Sequence, residues 1–244
     1  MPGIVLRIAD GGQDERAIPP PVTTISIECQ SIGFANRRGY GLAPNPDEQN
    51  AEVARRVRIV LRVGQDDAEA LSSTSYAVAF VLRDLPHAQL LVGQAVGLNP
   101  NLALGWTNSG WINLWSENPA LAVEHLKRAM RHDPLHRDRV ADRVASARSA
   151  MAHALFFLGK YNEAMAWAET ILRVNPDGHP ALRIRAASAA FANMTDAARE
   201  AAKRLYSIDP EFRVSCLASY LGPYQKPEFL EKYAEGLRLA GLPE

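Results

Sequence analysis

The chain has 244 residues, with 27 lysines and arginines against 27 aspartates and glutamates, so its formal net charge at pH 7 is zero. Such a balance gives no overall attraction to nucleic acid or to an anionic membrane. Cys29 and Cys216 belong to no CxxC pair and are expected to be free thiols of a cytoplasmic protein. No apolar run of about 18 residues predicts a membrane span, and the N-terminus lacks the apolar core of a secretion signal.

The first part of the chain is predicted to be a tail followed by one degenerate helical unit. Residues 1–26 contain the run Pro19-Pro20-Pro21 and are expected to be irregular. Residues 27–68 are assigned to a degenerate repeat, because "PDEQNAEVARRVRIVLRVGQDDAEA" (46–70) resembles the second helix of such a unit, with Asp66 in place of the proline. In that helix Ala54 occupies the position that an alanine holds in the later units.

Four Asn-Pro or Asp-Pro helix stops follow at regular spacing. Their prolines are Pro100, Pro134, Pro176 and Pro210, separated by 34, 42 and 34 residues. Twelve residues before each proline lies an alanine; these are Ala88, Ala122, Ala164 and Ala198. Because small side chains let two helices cross closely, this phase predicts packed helix pairs.

The stops therefore divide the chain into units of about 34 residues, each a pair of helices. The units are residues 69–102, 103–136, 145–178 and 179–212. Eight additional residues, 135–142, are expected to lengthen the helix that follows them. Residues 213–244 are predicted to form a C-terminal capping helix, with Leu230, Tyr233 and Leu237 on its apolar face.

Residues 103–136 carry the clearest family signal. Trp106 and Gly110 in the first helix, Ala122 and Ala129 in the second, and Pro134 at the end resemble the tetratricopeptide repeat. The resemblance implies an all-α fold, a right-handed solenoid of antiparallel helix pairs. It also implies that the first helix of every pair lines a concave face that binds proteins or peptides.

A narrower resemblance covers residues from about 27 to the end. "GLNPNLALGWTNSGWINLW" (97–115), "AVEHLKRAMRHDPLH" (122–136) and "EGLRLAGLPE" (235–244) are similar to the repeat region of proteobacterial class III adenylate and guanylate cyclases and of related winged-helix regulators. This implies a signalling role, with a cyclase domain ahead of the repeats that this chain does not contain. A truncated or frameshifted gene would explain its absence. The alternative is a detached C-terminal fragment that acts with a separately encoded catalytic or DNA-binding domain.

No pattern in the sequence predicts catalysis. There is no Gly-rich phosphate loop and no strand framework for the metal-binding aspartates of a cyclase. His132 and His136 are four residues apart but flank Pro134, which argues against a shared metal. We therefore expect no enzyme activity, no metal and no cofactor.

The predicted binding residues are aromatic and lie in phase on the first helices. They are Phe80, Trp111, Trp115, His153, Phe156, Phe157 and Phe191. One interpretation is an open groove that buries a helix or peptide of a protein partner. The other is that these rings pack against the adjacent unit or the chain's own terminal helix. A clamp for a terminal carboxylate is not expected, since the corresponding positions hold Ser73, Ala77, Thr107, Trp111, Ser149 and His153. Association between copies of the chain is left open.

Overall fold

The computed structural model describes residues 46–133 and 141–244. The predicted tail (1–26), the start of the degenerate unit and most of the eight-residue insertion lie outside these ranges. The described α-helices are α1 (Pro46–Val63), α2 (Ala68–Phe80), α3 (Leu85–Leu98), α4 (Ala103–Trp115), α5 (Pro119–His132), α6 (Ala141–Phe157), α7 (Tyr161–Leu172), α8 (His179–Phe191), α9 (Thr195–Ile208), α10 (Leu217–Tyr220) and α11 (Pro227–Leu239).

The helices from α2 to α9 form the expected solenoid of pairs. Helices α2, α4, α6 and α8 are the first helices, and α3, α5, α7 and α9 the second helices, of successive pairs. Each second helix ends shortly before the proline that the sequence marks as a stop. The described residues contain no strand, and the all-α fold is confirmed.

Small residues sit at the helix crossings, as predicted. Ala88, Ala122 and Ala164 are completely buried, and Ala198 is nearly so. At Gly110 a β-carbon would lie 2.6 Å from Leu126 Cγ, so the helices α4 and α5 approach closely there. Close approach at these points keeps successive helices in contact along the solenoid.

A left-handed residue marks the turn inside every pair. Arg83, Glu117, Gly159 and Asn193 have φ between 59° and 76°. They are separated by 34, 42 and 34 residues, the same intervals as the prolines. Glycine and asparagine are residue types that favour this conformation, as at Gly159 and Asn193, whereas Arg83 and Glu117 adopt it at a cost.

Helix α6 is longer than the other first helices. It has 17 residues, whereas α2, α4 and α8 have 13 each. It begins at Ala141, four residues before the predicted unit boundary, as expected if the insertion extends it.

The C-terminal region differs from the single capping helix that the sequence predicts. After α9 the chain forms a 3-10 turn (Val214–Cys216), the short helix α10 and then α11. We call residues 213–244 the C-terminal strap, because they run back over the first helices and do not only cover the last pair. The physical reason is that Leu221, Tyr233 and Leu237 bury themselves on that face. No helix in the described ranges is both long enough and apolar enough to cross a membrane.

Candidate functional site

The seven predicted binding residues come together on the face formed by the first helices, which we call the concave face. Their rings are close neighbours: Phe80 and Trp115 have centroids 5.7 Å apart, and Trp111 and Trp115 5.3 Å. His153 is 5.5 Å from Trp111. We call this set the aromatic layer; its members are Phe80, Trp111, Trp115, His153, Phe156, Phe157 and Phe191.

The aromatic layer is covered by the C-terminal strap. Six of its members are at most 9% exposed, and Phe191 is half-buried. Of the two arrangements that the sequence leaves open, the structure has the one in which the rings meet the chain's own terminal segment. Binding of a partner at these residues stays a prediction.

Residues 221–226 of the strap lie on the first two helix pairs. The Arg83 guanidinium donates a hydrogen bond to the carbonyl of Leu221 at 2.8 Å. The backbone N–H of Gln225 donates to the carbonyl of Trp115 at 3.1 Å. Lys226 Nζ lies 3.0 Å from Glu117 Oε2. Arg83 and Glu117 are the left-handed turn residues of those pairs, so two turns of the solenoid hold the strap.

The strap also contributes three aromatic rings of its own to the contact with the first helices. Phe229 stacks on Phe157 with centroids 4.3 Å apart and planes 7° apart, and Tyr224 contacts the same ring at 5.2 Å. Tyr233 lies between His153 and Phe156, at 5.5 and 5.6 Å. Burial raises the pKa of Tyr224 and of Tyr233, so both phenols stay neutral and the contact is largely apolar.

Helix α11 then follows α6 and α8. Its Gly236 faces α8 so closely that a β-carbon would lie 2.8 Å from Ala187 Cβ. The Lys232 ammonium lies 5.5 Å from the Phe156 ring centroid, 5.2 Å from that of Tyr161 and 5.9 Å from that of Phe191. A cation over aromatic faces is attracted by their negative quadrupole. Helix α11 therefore docks through rings, one small residue and one cation.

A buried arginine under the strap was missed by sequence reasoning. Arg183 on α8 is 1% exposed, and its guanidinium lies 5.2 Å from the ring centroid of Tyr220 and 5.9 Å from that of Phe212. The pattern gave no signal for it, since an arginine in an amphipathic helix usually faces solvent. The positive charge of Arg183 therefore lies against the faces of the Tyr220 and Phe212 rings.

His153 is a buried and uncharged aromatic ring in this site. Burial lowers its pKa to about 4, a hydrogen bond to the Ser149 carbonyl opposes this shift, and the Arg183 charge adds to it. The Nδ1–H donates to that carbonyl over 2.8 Å. The ring is therefore neutral at neutral pH, and its faces contact Trp111 and Tyr233.

Sequence reasoning also overlooked Tyr76. Its ring stacks on Phe80 with centroids 5.7 Å apart and lies 5.5 Å from Trp115. The available signal was spacing: Tyr76 precedes Phe80 by four residues, as Trp111 precedes Trp115. Tyr76 is not the residue type that the repeat pattern has at this position. Its ring lies where residues 221–226 of the strap dock.

The interface between the aromatic layer and the strap is largely apolar. Its contacts are ring faces, aliphatic side chains and a few backbone carbonyls. Within residues 46–133 and 141–244, no three His, Cys, Asp or Glu side chains form a group that could hold a metal ion. His136, one of the two histidines weighed above, lies outside those ranges.

No family model matches the chain, and no curated protein matches it significantly. Solved structures do match. PilW, a widely conserved type IV pilus biogenesis factor, has a TM-score of 0.60 at 16% identity and covers 88% of this chain and 89% of its own. TTC0263, a thermophilic TPR protein of Thermus thermophilus, has a TM-score of 0.57 at 15% identity and covers 88% of this chain and 100% of its own. YrrB, a TPR protein with an unusual peptide-binding site, has a TM-score of 0.50 at 17% identity and covers 75% of this chain and 89% of its own.

At these identities the similarity shows the fold, which is that of a tetratricopeptide solenoid. The narrower resemblance to nucleotide-cyclase repeat regions stays a prediction.

Proposed function

We propose that this tetratricopeptide-fold chain is a non-catalytic protein–protein interaction scaffold, and that its concave face holds a helix of the partner. One observation carries the proposal: the face already holds a helix, α11, through ring contacts to Phe156 and Phe157. YrrB, a protein of similar fold, supports the proposal because its structure is described as having an unusual peptide-binding site. A surface that accommodates one helix in cis has the shape and chemistry to accommodate another in trans.

The chemistry of the face narrows the class of ligand. Large rings that bury an aromatic anchor are typical of helix-in-groove recognition, in which a few buried side chains supply most of the affinity. The positions that could clamp a terminal carboxylate hold no lysine. The ligand we propose is therefore an internal amphipathic helix, and not a free C-terminus.

The test is selection of peptides from a displayed random library on the full-length chain. Amide hydrogen exchange then maps the bound peptide. We expect protection on α2, α4, α6 and α8, with selected peptides rich in aromatic residues. Protection confined to α3, α5, α7 and α9 would overturn the proposal.

A pair of variants makes the mapping specific. Phe157→Leu keeps an apolar side chain on the concave face but removes the ring, and should weaken the selected peptides about tenfold, the loss of one good anchor contact. Tyr206→Leu alters an exposed ring on α9 and is expected to leave binding unchanged. Circular dichroism establishes that both variants are folded.

A narrower proposal concerns the partner. The resemblance of residues 97–115 and 122–136 to cyclase-associated repeats supports a regulatory role toward a catalytic or winged-helix domain of a nucleotide-cyclase-type signalling protein. The full-length chain would be mixed with an isolated cyclase catalytic domain from the same genome, and cyclic nucleotide formation measured. A change in rate that Phe157→Leu abolishes supports the role, and an unchanged rate counts against it. The chain alone is expected to convert no ATP.

A further inference from the structure

The C-terminal strap buries apolar side chains in the same hydrophobic core as the first helices, yet few backbone hydrogen bonds join it to the solenoid. Its backbone is joined to the solenoid at two described points, the Leu221 carbonyl and the Gln225 N–H. Between them and beyond them the attachment is made by side chains. Residues 225–228, which lead into α11 and include its first two residues, are exposed. An element held in this way can leave its site without unwinding the helices beneath it.

The pattern of docking residues is compact enough to be read as a motif. Phe229, Tyr233 and Gly236 are spaced by four and three residues, so they share one face of α11. Lys232 immediately precedes the second ring. Leu237 completes the buried face one turn after Tyr233.

Two glycines show how closely the strap fits. A β-carbon at Gly222 would overlap the indole ring of Trp115. At Gly236 it would lie 2.8 Å from Ala187 Cβ and 3.1 Å from a ring carbon of Phe191. Both sites require something to move if the glycine is replaced, because real β-carbons do not approach so closely.

We infer that the C-terminal strap is an internal ligand of the concave face, and that the partner is an amphipathic helix that displaces it by presenting the same pattern. That helix carries two aromatic residues one turn apart, a lysine or arginine just before the second, and a small residue three positions after it. The inference rests on the proposed function, since it assumes that the concave face is the binding surface.

Displacement has an energetic consequence. A tethered segment competes at an effective concentration on the order of millimolar, and the apparent affinity of an outside helix falls by the fraction of chains in which the face is open. A substitution within the strap that loosens it, and that leaves the first helices unchanged, therefore tightens the binding of the partner. The unmodified chain is in a low-affinity state.

The probe for this competition is a labelled synthetic peptide of residues 221–242, "LGPYQKPEFLEKYAEGLRLAGL". It is titrated by fluorescence anisotropy into the unmodified full-length chain and into Gly236→Ala. The variant strap carries the clashing methyl group and the peptide does not, so the peptide should bind Gly236→Ala about tenfold more tightly or better. Gly222→Ala tests the contact between the strap and Trp115, and it remains informative if Gly236→Ala folds poorly.

The matched control is Gly93→Ala. Gly93 is also a helical glycine, exposed on α3, with nothing within 4 Å of the position of a β-carbon. It gains the same helix propensity as Gly236→Ala without meeting a neighbour. It should bind the peptide as weakly as the unmodified chain does. A peptide with alanine at the position of Gly236 should bind none of the proteins well.

Each result is decisive. Tighter binding to both strap variants, but not to Gly93→Ala, supports the internal ligand. Equal affinity for all four proteins overturns displacement but leaves a helix-binding face in place. Absence of binding to every protein overturns the proposed function and the inference together. If the strap variants form dimers that the peptide cannot dissociate, measured by sedimentation, a second copy is the occupant and the partner-helix proposal is wrong.

Discussion

Trp115 contacts both the solenoid and the strap. Its ring lies against Tyr76, Phe80 and Trp111, its carbonyl accepts a hydrogen bond from Gln225, and only 1% of it is exposed. An aromatic side chain in an open groove could be truncated at little cost. One that is buried from both sides leaves a cavity when it is removed.

We therefore predict that Trp115→Ala lowers the free energy of unfolding by about 3–5 kcal/mol. Tyr206→Ala, at a ring that is 44% exposed, should change it by less than about 1 kcal/mol. Urea denaturation followed by far-UV circular dichroism measures both. Similar small losses in the two variants would mean that the strap does not cover Trp115 in solution.

His153 makes stability depend on pH. In the folded chain its pKa is about 4, against 6.5 for an unperturbed ring. As the pH falls below about 6.5 the unfolded ring takes up a proton that the folded ring refuses, so acid favours unfolding. We predict that this residue alone removes stability at about 1.4 kcal/mol per pH unit between roughly pH 6 and pH 4.

The measurement compares the unmodified chain with His153→Gln by urea denaturation from pH 7.5 to pH 4.5. The two curves of unfolding free energy against pH should diverge below pH 6.5, with the variant less sensitive to acid. Parallel curves would show that His153 is exposed and that the strap leaves it open to water.

At the scale of elements, α11 differs from the helices it covers. The first helices are packed on both sides, by their own pair and by the strap, whereas α11 has an exposed outer face that includes Glu231, Glu235 and Arg238. Elements attached on one side open at lower free energy than the rest of the molecule.

We predict that amide hydrogens of α11 exchange faster than those of α4 under native conditions. Gly236→Ala should accelerate exchange in α11 and leave α4 unchanged, since the clash is confined to the contact with α8. Gly93→Ala should change neither helix. If α11 and α4 exchange at one common rate in all three proteins, the strap unfolds only with the whole chain.

The helix pairs could be predicted because their determinants are local. A stop such as Asn99-Pro100 ends its helix wherever it occurs, and the alanine in phase with it identifies the crossing. The same phase correctly grouped Trp111, Trp115 and His153 on one face. The path of the strap could not be predicted, because it depends on contacts such as Arg83 with Leu221, which are 138 residues apart. Nor did any local pattern mark Glu117 as a left-handed turn residue.

At the scale of the whole molecule, the strap adds contacts that a solenoid normally lacks. In a repeat array each unit contacts only its neighbours. Here one segment reaches Arg83 in the first pair, Trp115 in the second, Phe157 in the third and Ala187 in the fourth. Displacing it would uncover the whole concave face in one step, which connects the fold to the proposed binding function.

The most direct measurement is hydrogen exchange with mass spectrometry on full-length Gly236→Ala, with and without a saturating amount of the 221–242 peptide. The alanine gives residues 227–239 of the chain a different mass from the same residues of the peptide. We predict that the chain's own residues 227–239 lose protection when the peptide binds, while α4, α6 and α8 keep theirs. Continued protection of the chain's own 227–239, or a footprint on the second helices, would contradict the proposal that the strap is a displaceable ligand of the concave face.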